Sequence, residues 1–578
     1  MLLRLLVILS VENLLYHLVH GGLPQEDRNS AEAERYPTKK TYNGYKVYSA
    51  LPENEEQMDL FRELWLNATA LQLDFWKPPS FVSYRIDVMV SPKFQDEFMQ
   101  LMDAKNITVR VMVANVADAI ARETASLEFH QSLSRDAASG TKLEAADEFR
   151  LDRYHSYEEI QKWLRKITVR YPHAVKFIQL RNETIQSPII THEGRTIDLV
   201  KLGFRADDDT TKPAIWIDGA MHAREWASPT VVLYAIAELL KGVTGEDKNM
   251  ESYLKHIDWY LLPVSNPDGY EYSRNFDRMW RKNRNPNGFN RYTWCWGVDL
   301  NRNFDWNFGG KGASNHSCDN TYHGATPLSE PETRGIANAI AILRPRLDAF
   351  ITLHSYAQLW TYPYGHEYNV RPYDWQDLMG VALKATRVLR SFYGKSYTVD
   401  TGANALYPAS GGSDDWAKGR MNIKYVYLIE LRPEDEQQLP LADRLSHFGF
   451  LLPESQIIPT GQETWAGIRV VADAVLKRNG ISPVEETTPP GADANLACVD
   501  SEAYCKWWSS LGACYVWQDD MIKTCPKTCR FCDKVPPLTT TTPEPCADKR
   551  TDCHFYKDEG LCDQVYLYCA KTCKQCPN

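Results

Sequence analysis

At 578 residues the chain is too long for a single hydrophobic core, since cores stop growing near ~250–300 residues, and three or four domains are expected. Hydrophobic residues make up 43% of it, enough for most of the chain to bury a core. The formal net charge of −10, from 65 Lys plus Arg against 75 Asp plus Glu, excludes the basic footprint of a nucleic-acid binder.

The N-terminus, MLLRLLVILSVENLL, places one Arg before an apolar run too short to cross a bilayer. It reads as a secretory signal peptide over residues 1–22. No later segment offers the ~20 apolar residues of a membrane span. Residues 42–120 follow as a small α+β unit. YKVYSA, YRIDVMVS and ITVRVMVAN have the β-branched and aromatic content of strands, and ENEEQMDLFREL and SPKFQDEFMQLMDA have the periodicity of amphipathic helices. A charged, Ala- and Ser-rich connector comes next. Its Arg135, Lys142 and Arg150 are candidate sites for a trypsin-like protease, because exposed connectors are where proteolysis concentrates.

A large domain is expected over residues 143–480. Short apolar strands (AIWIDGA, DWYLLPVSN, DAFITLHS, YVYLIEL) alternate with helical stretches such as TVVLYAIAELL. That alternation predicts an α/β fold with a mixed, largely parallel sheet flanked by helices. Residues 481–497 and 533–545 are Pro/Thr-rich linkers that cannot bury a core. They precede two short modules, 498–532 and 546–576, with six cysteines each. Of the 14 cysteines only Cys295 and Cys318 lie elsewhere, and so dense and even a pattern predicts disulfides in an oxidising, extracellular compartment. Sequons at Asn67, Asn106, Asn182 and Asn315 are compatible with that route.

The chemistry starts with GAMHAREW, just after a predicted strand. In such sheets ligands bind outside the carboxyl ends of the strands. An imidazole and a carboxylate at that edge, His222 and Glu225, suit zinc, but in a chain with 14 histidines the pair alone is a weak signal and a third ligand is required. His354, ending the strand of DAFITLHS, is a candidate, although such a histidine standing alone is more often a satisfied core residue. GVDLNRN sets Asn301 beside Arg302, a guanidinium fork with an amide neighbour that suits a carboxylate. RMWRKNR supplies Arg281, a fixed cation suited to a developing oxyanion. YLIELRPE ends an apolar strand on Glu430, a carboxylate that is costly to bury without a task.

Together these motifs, with VSNPDGYEYS and GFLLPESQIIPTGQETWAG, make residues 154–479 resemble the zinc metallocarboxypeptidases of the carboxypeptidase A and B family. The resemblance implies that His222, Glu225 and His354 bind one Zn2+ and that Glu430 is the base activating water. It implies that Arg281 polarises the scissile carbonyl, and that Asn301, Arg302 and Tyr407 grip the C-terminal carboxylate of a peptide or protein substrate. Arg224 and Tyr356 match residues of outer subsites, Asp299 a residue orienting the first zinc histidine, and Cys295–Cys318 the family's disulfide. In YPASGGSDDWAKG, Asp414 stands where B-like members carry an acid, with Gly365 and Gly402 keeping the pocket open. The expectation is cleavage of C-terminal Lys and Arg. A-like or broad specificity is the alternative, as is a catalytically weak extracellular binding protein.

The unit at 42–120 resembles the family's prosegment, so residues 23–142 are expected to be a prosegment with its activation connector, cut after Lys142 by a trypsin-like protease. The two six-cysteine modules resemble ShK-type modules. That family's pattern implies Cys498–Cys532, Cys505–Cys525 and Cys514–Cys529 in the first, and Cys546–Cys576, Cys553–Cys569 and Cys562–Cys573 in the second. QDDMIKTC and CDQVYLYC lack the Lys-Tyr pair of the channel-blocking members, so a matrix or protein ligand, or a role in oligomerisation, is expected instead.

Overall fold

The structure is a computed structural model that describes residues 39–124, 149–182, 187–204, 211–287, 295–433, 449–482 and 528–529. The signal peptide, Arg135, Lys142, both linkers and the expected ShK-type disulfides fall outside those residues, save that Cys529 is itself disulfide-bonded. No helix among the described residues is long and apolar enough to cross a membrane.

The N-terminal unit runs β1 (Lys46–Leu51), α1 (Glu55–Leu66), β2 (Leu73–Lys77), β3 (Ile86–Val90), α2 (Gln95–Ala104) and β4 (Thr108–Val113). Its strands form an antiparallel sheet in the order β2-β3-β1-β4. Helix α1 starts where the Asn54 side chain accepts the Gln57 N–H at 3.0 Å, with Glu55 and Glu56 favourably placed in its first turn. Phe61, Leu64 and Phe98 from the helices bury themselves against Val88 and Val90, giving the unit its own core.

The large domain opens with α3 (Tyr157–Arg170), started by a capping box between Ser156 and Glu159, and continues through β5 (Val175–Gln179), β6 (Asp198–Leu202) and β7 (Ala214–Asp218). Then come α4 (Ala227–Val243), α5 (Lys248–His256), β8 (Asp258–Leu262), α6 (Pro267–Asn275), α7 (Pro331–Leu343), β9 (Leu347–Ser355) and β10 (Leu359–Tyr362). The domain ends with α8 (Trp375–Tyr393), β11 (Thr398–Thr401), α9 (Gly402–Ala405), α10 (Ser413–Gly419), β12 (Tyr425–Leu431) and α11 (Ile457–Arg478).

These strands build one eight-stranded sheet in the order β11-β10-β12-β9-β7-β8-β6-β5. The central strands β12, β9, β7 and β8 are mutually parallel, and antiparallel pairings enter at β10/β12, β8/β6 and β6/β5. Both faces of the sheet are covered. Trp259 on β8 packs on Trp465 of α11 at a ring separation of 5.4 Å, while its neighbour Tyr260 joins the core on the other face with Ile336 of α7 and Trp416 of α10. Burial on both faces explains why these strands read as continuous apolar runs instead of alternating ones.

Candidate active site

Strand order assembles the site. β7, β9 and β12 are neighbours with their carboxyl ends at one edge, so the loop leaving β7 and the ends of β9 and β12 meet there. Glu430 lies directly opposite His354 in the β12/β9 ladder.

The turn from β7 into α4 carries His222 and Glu225. It depends on Gly219, where a Cβ would stand 2.9 Å from the Ser228 backbone, and on Ala220 in the left-handed region at φ 50°. Three further hydrogen bonds hold it. Ser228 Oγ accepts from Ala220 N at 2.8 Å, the Arg281 carbonyl from Ala223 N at 2.9 Å, and the Met221 carbonyl from Asn266 Nδ2 at 3.2 Å. The loop that presents two of the candidate ligands is therefore rigid, which suits a site that must hold its geometry.

His222 Nδ1 lies 2.8 Å from Glu225 Oε1. His354 Nδ1 lies 3.0 Å from Glu225 Oε2 and 3.1 Å from His222 Nδ1. Three lone-pair donors thus converge within 4.8 Å, all buried. Two imidazoles and one carboxylate aimed at one point, with their other atoms held from behind, are the donor set of a catalytic zinc ion, and the residues fit that metal.

Each ligand is oriented from behind. His222 Nε2 is 3.0 Å from Asp299 Oδ1, and the other oxygen of Asp299 accepts from Arg281 at 2.9 and 3.1 Å. Burial alone would raise the Asp299 carboxyl, but the Arg281 guanidinium and His222 hold it well below the usual carboxylate range. His354 Nε2 is 3.3 Å from Thr352 Oγ1, which donates to Asp218 Oδ1 at 2.7 Å, and Asp218 also accepts from Trp216 Nε1 at 2.7 Å. The Ser355 N–H donates to Glu225 Oε2 at 3.1 Å. Asp299 was legible in the sequence, whereas Thr352 and Asp218 were not. Their signal was an acid ending one buried strand and a Thr two residues before the histidine of another.

A partly open cleft spans the site. It is lined by His222, Glu225, His354, Arg281, Asn301, Arg302, Tyr356, Tyr407, Asp414 and Glu430, so the candidate zinc-binding, catalytic and substrate-binding residues other than Arg224 meet there. Asp299 lies behind His222, and Arg224 lies beside the cleft, under the N-terminal unit. Burial, then the neighbouring Glu225 carboxylate, push Glu430 up to about 7. Arg302 donates to the Gly312 carbonyl at 2.9 Å and the Asn301 carbonyl at 2.8 Å, which fixes its fork. Asn301 is held through its side-chain oxygen, which accepts the Ser413 N–H at 2.8 Å.

Two adjacent acids at the start of α10 divide their roles. Asp415 accepts from Gly365 N, His366 N and His366 Nδ1 at 2.6–3.0 Å and so holds the loop after β10. Asp414 instead lines the cleft, and among the described residues no Lys or Arg pairs with it. Gly365 and Gly412 stand next to it, Gly402 lines the same cleft, and a Cβ on Gly412 would come within 2.8 Å of its carboxylate. Burial, followed by Asp415, pushes Asp414 up to about 7.

The N-terminal unit sits over this cleft. Trp76, Lys77 and Pro78 line it, Trp65 packs edge-on to Tyr407 at 5.8 Å, and Asp87 accepts the Tyr356 hydroxyl at 2.9 Å. Asp277 and Arg278 hold its two ends. Asp277 pairs with Lys40 at 3.3 Å and accepts from Tyr42, and Arg278 forks onto Glu123 at 2.6 and 3.0 Å. The Cys295–Cys318 disulfide is formed as expected. Arg150 pairs with Asp152.

This fold and donor set define a zinc-dependent peptidase preceded by a covering segment. Comparison with known proteins specifies it. Residues 160–467 match the family described as zinc carboxypeptidase, 48–123 the carboxypeptidase activation peptide, and 497–532 and 545–576 the ShK domain-like family. The chain is 35% identical over 435 residues to carboxypeptidase A2 of Mus musculus, covering 75% of this chain and 94% of that one. It is 39% identical over 322 residues to carboxypeptidase B of Astacus astacus, covering 56% and 97%. The crystal structure of thrombin activatable fibrinolysis inhibitor superposes with a TM-score of 0.62 at 32% identity, over 75% of this chain and 98% of that one. The protein belongs to the zinc carboxypeptidase family and is a metallopeptidase with an activation peptide.

Proposed function

We propose that this chain is the secreted zymogen of a carboxypeptidase that removes C-terminal Lys and Arg. The observation that carries the specificity is Asp414: a buried acid lining the cleft, flanked by Gly365 and Gly412 and without a cationic partner among the described residues. A carboxylate so placed is satisfied by a guanidinium or ammonium from the substrate and penalises an apolar side chain. Relatives named for both A and B types are similar to the chain, so the preference rests on this residue. Secretion is supported by the cysteine-dense modules and the Cys295–Cys318 disulfide.

His222, Glu225 and His354 would hold the zinc. When bound, the ion supplies Lewis-acid polarisation of the scissile carbonyl and lowers the pKa of water. The rest of the chemistry belongs to side chains. Arg302, Asn301 and Tyr407 anchor the substrate's terminal carboxylate, which restricts cleavage to the last bond. Asp414 receives its side chain. Glu430 takes the proton of the attacking water as the C–O bond forms, and returns it to the amine nitrogen as the C–N bond breaks. Arg281 stabilises the oxyanion between those steps, and Asp299 keeps both Arg281 and His222 aimed. The N-terminal unit keeps substrate out until the connector is cut, and Lys142 is the proposed cut site. The ShK-type modules are proposed to bind an extracellular matrix or protein ligand.

The test is hydrolysis of matched blocked dipeptides ending in Arg, Lys, Phe and Leu by trypsin-treated protein, with and without a chelator. Chelator-sensitive release of Arg and Lys supports the reading. Release of Phe or Leu in their place discards the basic preference.

A further inference from the structure

Outside the cleft lies a second group of metal-binding side chains. Glu330 immediately precedes α7 and Glu332 is in its first turn, and both are fully buried. His192 comes from the turn before β6, with its side chain 26% exposed. One donor atom of each lies within 4.8 Å of the others, and His192 Nε2 is 3.1 Å from Glu330 Oε2.

Hydrogen bonding satisfies Glu330 and leaves Glu332 short. Glu330 accepts from Asn283 at 2.8 Å, from Asn285 at 2.9 and 3.0 Å and from Ser329 at 2.6 Å. Glu332 Oε2 accepts from Asn283 at 3.1 Å, and its Oε1 has no partner. The start of a helix favours acids there, but a helix dipole does not replace a missing donor on a buried oxygen. The local charge does not supply one either. Arg195 is taken up by Asp268 and Glu193, and Arg284 by Glu193. Four carboxylates (Glu193, Asp268, Glu330 and Glu332) therefore face two guanidiniums and the His192 imidazole, which lies on Glu330. Burial and the adjacent Glu330 push Glu332 up to about 8.

We propose that His192, Glu330 and Glu332 form a second divalent-cation site, distinct from the catalytic one. An imidazole with two carboxylates suits a first-row ion such as zinc better than calcium. The ion would give Glu332 Oε1 its partner and remove the excess negative charge. It enters from the His192 side, where solvent reaches the cluster. Its role is to brace: it ties the turn before β6 to the start of α7. Through Asn283 and Asn285 it also steadies the segment that begins at Arg281.

The experiment strips the full chain with a chelator, dialyses it against low-micromolar free zinc, and measures metal content by mass spectrometry. The wild-type chain is expected to hold one zinc more than Glu332→Gln and than His192→Ala. Each variant keeps its catalytic zinc, reported by dipeptide hydrolysis after tryptic activation. His192 is partly exposed, so its variant folds even if Glu332→Gln does not. Equal metal content in wild type and His192→Ala overturns the proposal and leaves Glu332 a protonated acid. So does an extra wild-type zinc that His192→Ala retains, because that ion then sits elsewhere.

Discussion

Asp74, on β2 of the N-terminal unit, sets a carboxylate oxygen 2.6 Å from the guanidinium of Arg224, a side chain only 2% exposed. The other oxygen of Asp74 accepts from Asn320 at 3.1 Å, and the Arg224 guanidinium stacks over Phe450 at 4.2 Å. A cation that deep is held by the partner the activation peptide provides.

Asp74→Ala leaves Arg224 buried without its carboxylate, which loosens the peptide's grip at the cleft. Allowing for the 15% exposure of Asp74, the loss is on the order of 1–3 kcal/mol. The uncut chain should then hydrolyse a small dipeptide about tenfold faster than the uncut wild type. After cleavage and removal of the peptide the two enzymes have the same sequence and should be equally active. Equal activity before cleavage would show that the pair contributes nothing to latency.

Glu430→Gln keeps the shape of the side chain and removes the proposed base. Turnover should fall by roughly 10²–10⁴, the usual worth of a positioned general base. Zinc content should be unchanged, because His222, Glu225 and His354 remain. Retained turnover would remove Glu430 from its assigned role.

Asp414→Asn should cost ~2–5 kcal/mol in kcat/KM on substrates ending in Arg, with little change on those ending in Phe. On the proposed reading, only ionised Asp414 attracts the substrate cation. The Arg-to-Phe ratio should therefore fall as pH drops below about 7, where burial and Asp415 have pushed this carboxyl. In Asp414→Asn the ratio should be flat with pH. A pH-dependent ratio in the variant would place the selector elsewhere.

The same residue costs stability. A carboxyl raised from its unfolded ~3.9 to about 7 is tolerated in the fold while protonated. Its favourable contribution is complete below pH ~4 and is lost as pH rises to about 7. Asp414→Asn should accordingly be more stable than the wild type at pH 8, by on the order of 1–3 kcal/mol, and equally stable near pH 4. Denaturant unfolding at the two pH values measures this. A variant destabilised at pH 8 would mean that the carboxylate is satisfied inside the protein.

Thr352→Val removes the hydroxyl between His354 and Asp218 without changing side-chain volume much. Zinc affinity should fall about 10–100-fold, the scale seen when the partner of a metal-bound histidine is lost. Competition with a chromogenic chelator reads it. Unaltered affinity would show that β9 alone orients the ring.

Several features were written locally in the chain. Apolar runs bounded by turn residues marked β7, β8, β9 and β12, because strands buried on both faces carry no polar alternation. His222 and Glu225 share one turn, and Asn301 and Arg302 are neighbours, so their pairing needed no knowledge of the fold. The six-cysteine modules declared themselves by spacing alone. What no local pattern carried was which strands lie side by side. His222 and His354 are 132 residues apart, and their meeting follows from β9 lying between β7 and β12. The same adjacency sets Asp218 opposite Thr352, so the relay behind His354 came into view only with the sheet in register. Asp414 and Asp415 are identical in type and adjacent in sequence, and only the packing of α10 turns one toward the loop after β10 and the other into the cleft. Residue chemistry and short-range periodicity thus determined the class of fold and the modular plan, while the zinc set followed from the resemblance of several motifs taken together. The covering of the cleft, the relay behind His354 and the division of labour between the two acids were decided by long-range packing, because burial and partner choice depend on neighbours that the chain meets only once folded.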